Sequence, residues 1–203
     1  MGQRHQIYII TKEYGIKPYH EQWLYGTNPI RLVDRVVKAV KRAQDEAKKG
    51  GVSFNEFELI NLVSGVMNYD AIDNKAFNCF DITEDITDKS GKVNPFRGDN
   101  NDGITIIDFS GAKIKYGFMF LEDTGVDDIK GLTVLNAQQY VNRYYKDFAP
   151  QGTFIDRNRY YKDFAPQGTF IDRFNFVMNL PLVTNFSKFS KEFSSKIIKK
   201  DGN

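Results

Sequence analysis

The sequence predicts one α+β domain: a mostly antiparallel sheet of two β-hairpins plus one strand, covered by three to four helices. Three patterns carry that expectation. Residues 5–25 and 104–121 each read as a pair of apolar strands about a turn; residues 77–82 (FNCFDI) alternate apolar and polar; residues 29–49 space their apolar side chains as a helix does.

The first hairpin holds both histidines and the single tryptophan, Trp23. Its opening strand, HQIYIIT, puts Ile7 and Ile9 on one face and Tyr8 and Ile10 on the other. A strand apolar on both faces is usually central in its sheet. Tyr14-Gly15 supplies the break, and residues 18–25 return as the second strand, ending at Gly26. With the turn centred near Gly15, His5 is expected opposite Leu24 or Tyr25, and His20 opposite Ile9 or Ile10. The imidazoles then stand on the order of 13 Å apart at about 3.3 Å per residue, too far for ligands that bind zinc at about 2 Å. No shared histidine metal site is expected.

Asn28 and Pro29 mark the start of the first helix, as N-cap and first helical residue. Leu32, Val33, Val36, Val37, Val40, Ala43 and Ala47 form its apolar stripe, and Gly50-Gly51 stops it. The expected outer face carries Arg31, Arg35, Lys38, Lys41, Arg42, Lys48 and Lys49 against Asp34, Asp45 and Glu46. Ser53 and Glu56 have the spacing of a capping box, opening a second helix through Phe57, Ile60, Val63 and Met67. A long polar loop is expected over 83–103. The second hairpin, 104–109 with 113–121, turns across Ser110-Gly111-Ala112, where Asp108 is placed to cap local amides. Thr133 or Asn136 begins a third helix through Val141 and Tyr144. Residues 186–203 set Phe186, Phe189, Phe193 and Ile197 at helical steps beneath five lysines, a basic amphipathic helix or tail outside the 1–185 domain. Docking on its own domain is preferred to an anionic membrane.

One motif stands apart. NRYYKDFAPQGTFIDR occurs twice without a mismatch, at 142–157 and 158–173. Solenoid repeats diverge and need three or more units, so two flawless copies indicate a recent or engineered tandem duplication. One copy is expected in the native place and the other as a surface insertion.

Composition narrows the function. Hydrophobic content of 41% over 203 residues fits one globular core, and a formal charge of +2 creates no global field for nucleic acid or membrane. Cys79 alone allows no internal disulfide; with Phe77, Asn78 and Phe80 around it, a structural thiol is expected. No secretory leader or membrane span is read, so an intracellular, cytoplasmic place is expected, or a virion-associated one if the Asn-, Lys- and Ile-rich chain is viral. Gly2 lacks the downstream Ser or Thr of a myristoylation motif, and Arg97-Gly98-Asp99 is taken as chance. Asp99 and Asp102, in Asp99-Asn100-Asn101-Asp102-Gly103, are weak cation candidates. Gly98 stands where an EF-hand needs Asp, and Phe109 where it needs Glu.

The polar residues of the first hairpin, Gln3, Arg4, His5 and Gln6 with His20, Glu21 and Gln22, are unusual for a buried strand pair. The preferred reading is a hydrogen-bonded network at the sheet's end, with Glu21 pairing Arg4. The sharper one makes His5, His20, Glu21 and Asp108 an acid/base cluster of a hydrolase.

The opening Met1-Gly2-Gln3-Arg4-His5-Gln6, the block His20-Glu21-Gln22-Trp23-Leu24-Tyr25-Gly26 and the run 99–103 resemble, in that order over residues 1–145, a family of uncharacterised proteins chiefly known as fungal hypothetical proteins. That family's pattern has a second histidine where this chain has Glu21. The resemblance implies one continuous domain and no particular activity.

The chain has no phosphate loop, no GxSxG and no Cys/His metal spacing. Removal of Met1 would expose Gly2, which offers no side-chain nucleophile. The leading expectation is a non-enzymatic structural or interaction protein without a cofactor, its partner another protein or a second copy. Arg4, Trp23, Tyr25, Arg143 and Tyr144 are the residues offered for contact. The alternatives are the hydrolase and a nucleic-acid binder using the basic face of residues 29–49.

Overall fold

The computed structural model describes residues 5–21, 24, 26–70, 75–76, 79–82, 103–120, 133–147 and 169–184. Its centre is a five-stranded mixed sheet built from β1 (His5–Thr11), β2 (Gly15–Glu21), β5 (Cys79–Asp81), β6 (Ile104–Asp108) and β7 (Lys115–Met119), in the order β5-β2-β1-β6-β7. A small pair, β3 (Tyr69–Asp70) and β4 (Lys75–Ala76), stands outside it. The helices are α1 (Asn28–Lys49), α2 (Glu56–Asn68), α3 (Ala137–Asp147) and α4 (Thr169–Met178). This is the expected α+β domain: two hairpins and the FNCFDI strand, every pairing antiparallel except β1 with β6, where the hairpins join.

β1 is central and buried along its whole length, as its two apolar faces require. Ile7 and Ile9 face the larger core with Ile107, Tyr116 and Phe118, against the apolar stripes of the helices. Tyr8 and Ile10 face a second cluster with Ile104, Ile106, Met119 and Val183. Burial of Tyr8 in that cluster pushes its phenol far above its ordinary pKa.

Several local expectations shift by a few residues. The first turn lies at residues 12–14, because Thr11 pairs with Gly15; Thr11 Oγ1 accepts the amide of Tyr14, and Gly15 closes the loop at φ +70°. His5 therefore stands opposite Glu21, and His20 opposite Gln6, not opposite Leu24 or Ile9. α1 is capped by Thr27 through its carbonyl rather than by the side chain of Asn28, and Pro29 sits in the first turn, where no amide is needed. At its other end Val52 N–H reaches Ala47 O and Gly51 N–H reaches Lys48 O, a Schellman pair with Gly51 at φ +67°.

The α2 capping box is Asn55 with Glu58, each side chain accepting the other's amide at 2.9 Å. Ser53 and Glu56 do not form it. Glu56 is released to accept the Lys12 and Glu13 amides of the β1–β2 turn at 2.9 and 2.7 Å. With the helix entered two residues later, Leu59, Val63 and Met67 face the core and Phe57 points outward. A second box, Asn136 with Gln139, opens α3. The outer edge of β7 is met by Leu135 and Leu182 through single bridges.

Candidate functional site

Strand register decides what the polar residues can do together. Directly paired residues project to the same face of a sheet, and neighbours along a strand to opposite faces. His5 and Glu21 are therefore cross-strand neighbours on the helix-covered face, and the next rung outward adds Cys79, which pairs with Glu21. On the other side of His5, Thr105 Oγ1 and His5 Nε2 share a 2.7 Å hydrogen bond. A row Cys79–Glu21–His5–Thr105 thus crosses four strands at one end of the sheet, with His5, Glu21 and Thr105 all buried.

Two further groups act on this row. Burial pushes the Cys79 thiol up to about 12; the charge of Glu21 adds to that, and Arg35 of α1 opposes it. The thiol is thus held protonated at neutral pH, the structural role expected for it. Tyr19 lies one rung further on the same face, its hydroxyl 2.6 Å from Ser64 Oγ of α2. Its phenol is also raised to about 12, chiefly by burial. Gly103, beside His5, has φ +116°, and a Cβ there would lie 3.6 Å from His5 Cε1.

The remaining members of the expected acid/base cluster are elsewhere. His20 projects to the opposite face, across from Gln6 and Phe80; Gln6 itself accepts the Tyr8 hydroxyl at 2.8 Å. Asp108 shares that second face but pairs with Ile10, four residues along β1 from Gln6, on the order of 13 Å away. There it does what its place beside a turn predicts, accepting the amide and hydroxyl of Ser110 at 2.9 and 2.6 Å. The sheet brings His5 and Glu21 together and separates both from His20 and Asp108. The expected remoteness of the two histidines along the ladder is replaced by a separation across the sheet.

Of the residues offered for contact, Tyr144 is buried, packed with Phe120 and Tyr140, and Arg143 lies 5.3 Å over the Phe120 ring. Arg4, Trp23, Tyr25, Asp99 and Asp102, the loop 83–102 and the tail 186–203 lie outside the described residues. Among the described residues no group of three or more metal-ligating side chains is placed to hold an ion.

The basic face of α1 is also redistributed. Asp34 is buried, paired with Lys38 and, at 3.8 Å, with Arg173 of α4. Lys38 and Lys41 lie 4.7 and 5.2 Å over the Phe176 ring. Arg31 and Arg35 are half-buried, and α4 packs against α1 at Asp34, Lys38 and Lys41.

Sequence reasoning missed Thr105 and Arg35. Thr105 was visible only as a polar residue flanked by isoleucines in ITIID, a weak signal. Arg35 was concealed by its place on a charged helix face.

Fold and site together define a single α+β domain whose polar residues form a buried row across one sheet end, beneath a helix. No protein-family model, curated protein or solved structure matches the chain. Among the described residues no helix is long and apolar enough to cross a membrane.

Proposed function

We propose that the chain is a non-enzymatic structural or interaction protein, its partner another protein or a second copy of itself. The observation that supports this is the division of His5 and Glu21 from His20 and Asp108 by the sheet. Acid/base catalysis requires its groups within hydrogen-bond reach of one reacting centre, and these four have no common centre. His5 instead bonds Thr105, and Asp108 bonds Ser110, as framework polar groups do. Val52, Phe57 and Phe80, the large exposed apolar side chains among the described residues, are the contact candidates this reading favours.

The nucleic-acid reading finds less room. Lys38 and Lys41 are engaged with α4, and the rest of the exposed basic stretch, Arg42, Lys48 and Lys49, alternates with exposed Asp45 and Glu46.

The test pairs activity with stability. Purified protein is assayed against chromogenic esters, phosphates and peptides, alongside the His20→Ala and Glu21→Gln variants, with thermal unfolding measured on each. The expected result is turnover at the level of the blank, a lower Tm for Glu21→Gln and little change for His20→Ala. Turnover that His20→Ala abolishes without moving Tm would overturn the reading.

A further inference from the structure

Two described helices run into the tandem repeat from its two sides. α3 joins unique residues 137–141 to the first six residues of copy one, 142–147. α4 joins the last five residues of copy two, 169–173, to unique residues 174–178. Among the described residues each copy thus contributes one end to a helix; residues 148–168 lie outside the described residues.

The unique flanks hold this arrangement in register. In α4, Val177 is fully buried, Met178 accepts the Tyr116 hydroxyl at 3.9 Å, and Phe174 packs against the core. If copy one supplied the same helix, Arg157 would replace Arg173 and Tyr160 would replace Phe176, tolerable exchanges. Asn158, Tyr161 and Lys162 would then stand for Phe174, Val177 and Met178. A lysine and an asparagine at these half-buried positions forfeit apolar burial and carry a desolvation cost, so copy two suits the α4 place better than copy one.

The connection between the helices, 148–168, is then FAPQG, TFIDRNRYYKD and FAPQG in turn. The same five residues follow α3 and precede α4. Taking out any sixteen consecutive residues that start between 142 and 158 gives one and the same chain, in which α3 and α4 keep every residue and are joined by FAPQG alone. Five residues lie within the usual length of a helix–helix connection, and α3 and α4 already touch. Proline shortly after a helix end also suits the exit from α3.

We infer that one sixteen-residue unit is spare: the fold is that of a 187-residue chain with a five-residue α3–α4 connection, and the duplication is accommodated wholly between those helices. This does not depend on the proposed function.

Two variants test it, read by thermal unfolding and by hydrogen exchange of the α1 and α4 amides. One deletes residues 148–163; the other replaces the same residues with a Gly/Ser sequence of equal length. The deletion is expected to keep the exchange pattern and to raise Tm by about 3 °C, because a shorter loop costs less entropy to close. The Gly/Ser chain is expected to unfold within about 2 °C of the parent. A fall of about 5 °C or more in the Gly/Ser chain would mean that the extra unit makes contacts the fold needs. The same fall in the deletion alone would mean that FAPQG cannot span the helices. Either result overturns the inference.

Discussion

At Gly103 the backbone takes φ +116°, and a Cβ would come to 2.5 Å from the Met119 carbonyl oxygen. Any side chain there must move a strand rather than a neighbour's flexible end. Gly103→Ala is expected to cost about 2 kcal/mol or more, measurable by urea unfolding, with loss of exchange protection first at Gln6, whose amide bonds the Gly103 carbonyl. Cys79 makes a different prediction. Its folded pKa is raised to about 12 from the ordinary 9.0, so its stabilising contribution is complete below about pH 9 and fades as pH climbs toward 12. Tm should fall between pH 8 and pH 10.5, and Cys79→Ser should flatten that fall; equal slopes would refute it. An inert thiol was legible in the sequence, because Phe77, Asn78 and Phe80 offer it no basic partner. The sequence held no sign of Glu21 or Arg35, which reach Cys79 only through strand pairing and helix packing.

Elements were legible where their signals were local. Both hairpins, the strand Cys79–Asp81 and the first three helices form because their apolar periodicities agree with their breakers. The caps slipped where two candidates competed: Ser53/Glu56 and Asn55/Glu58 both have box-like spacing, and the winner leaves Glu56 to hold the β1–β2 turn. Two expectations separate these roles. Asn55→Ala should lower stability by about 1 kcal/mol as an ordinary lost cap. Glu56→Ala should cost a similar amount, yet accelerate amide exchange at Lys12 and Glu13, which Asn55→Ala leaves protected. Equal exchange at the turn in both variants would remove Glu56 from that role. The first turn lies ahead of Gly15 rather than around it, because Thr11 Oγ1 accepts the Tyr14 amide and Gly15, at φ +70°, closes the loop as the partner of Thr11.

On the scale of the whole molecule, the decisive contact is α4 against α1. Asp34 is buried between Lys38 and Arg173, and Phe176 lies under Lys38 and Lys41. Arg173→Ala is expected to lower stability by about 1 kcal/mol, a partly exposed ion pair with one buried member. Arg157→Ala, the same residue of the repeated unit, should leave Tm unchanged. If the two variants shifted Tm equally, the assignment of α4 to the second copy would fail.

By itself the sequence determined the α+β class, the central position of β1 and the existence of the main helices, because each follows from the spacing of apolar residues within one short segment. It also exposed the duplication, which is a matter of identity alone. Only the tertiary structure decided that His5 and Glu21 share a face while His20 and Asp108 do not, since a shift of one residue in register exchanges the two faces of a strand. It alone showed that the charged face of α1 is covered in part, with Asp34 buried and paired with Arg173 of a helix more than a hundred residues further along the chain.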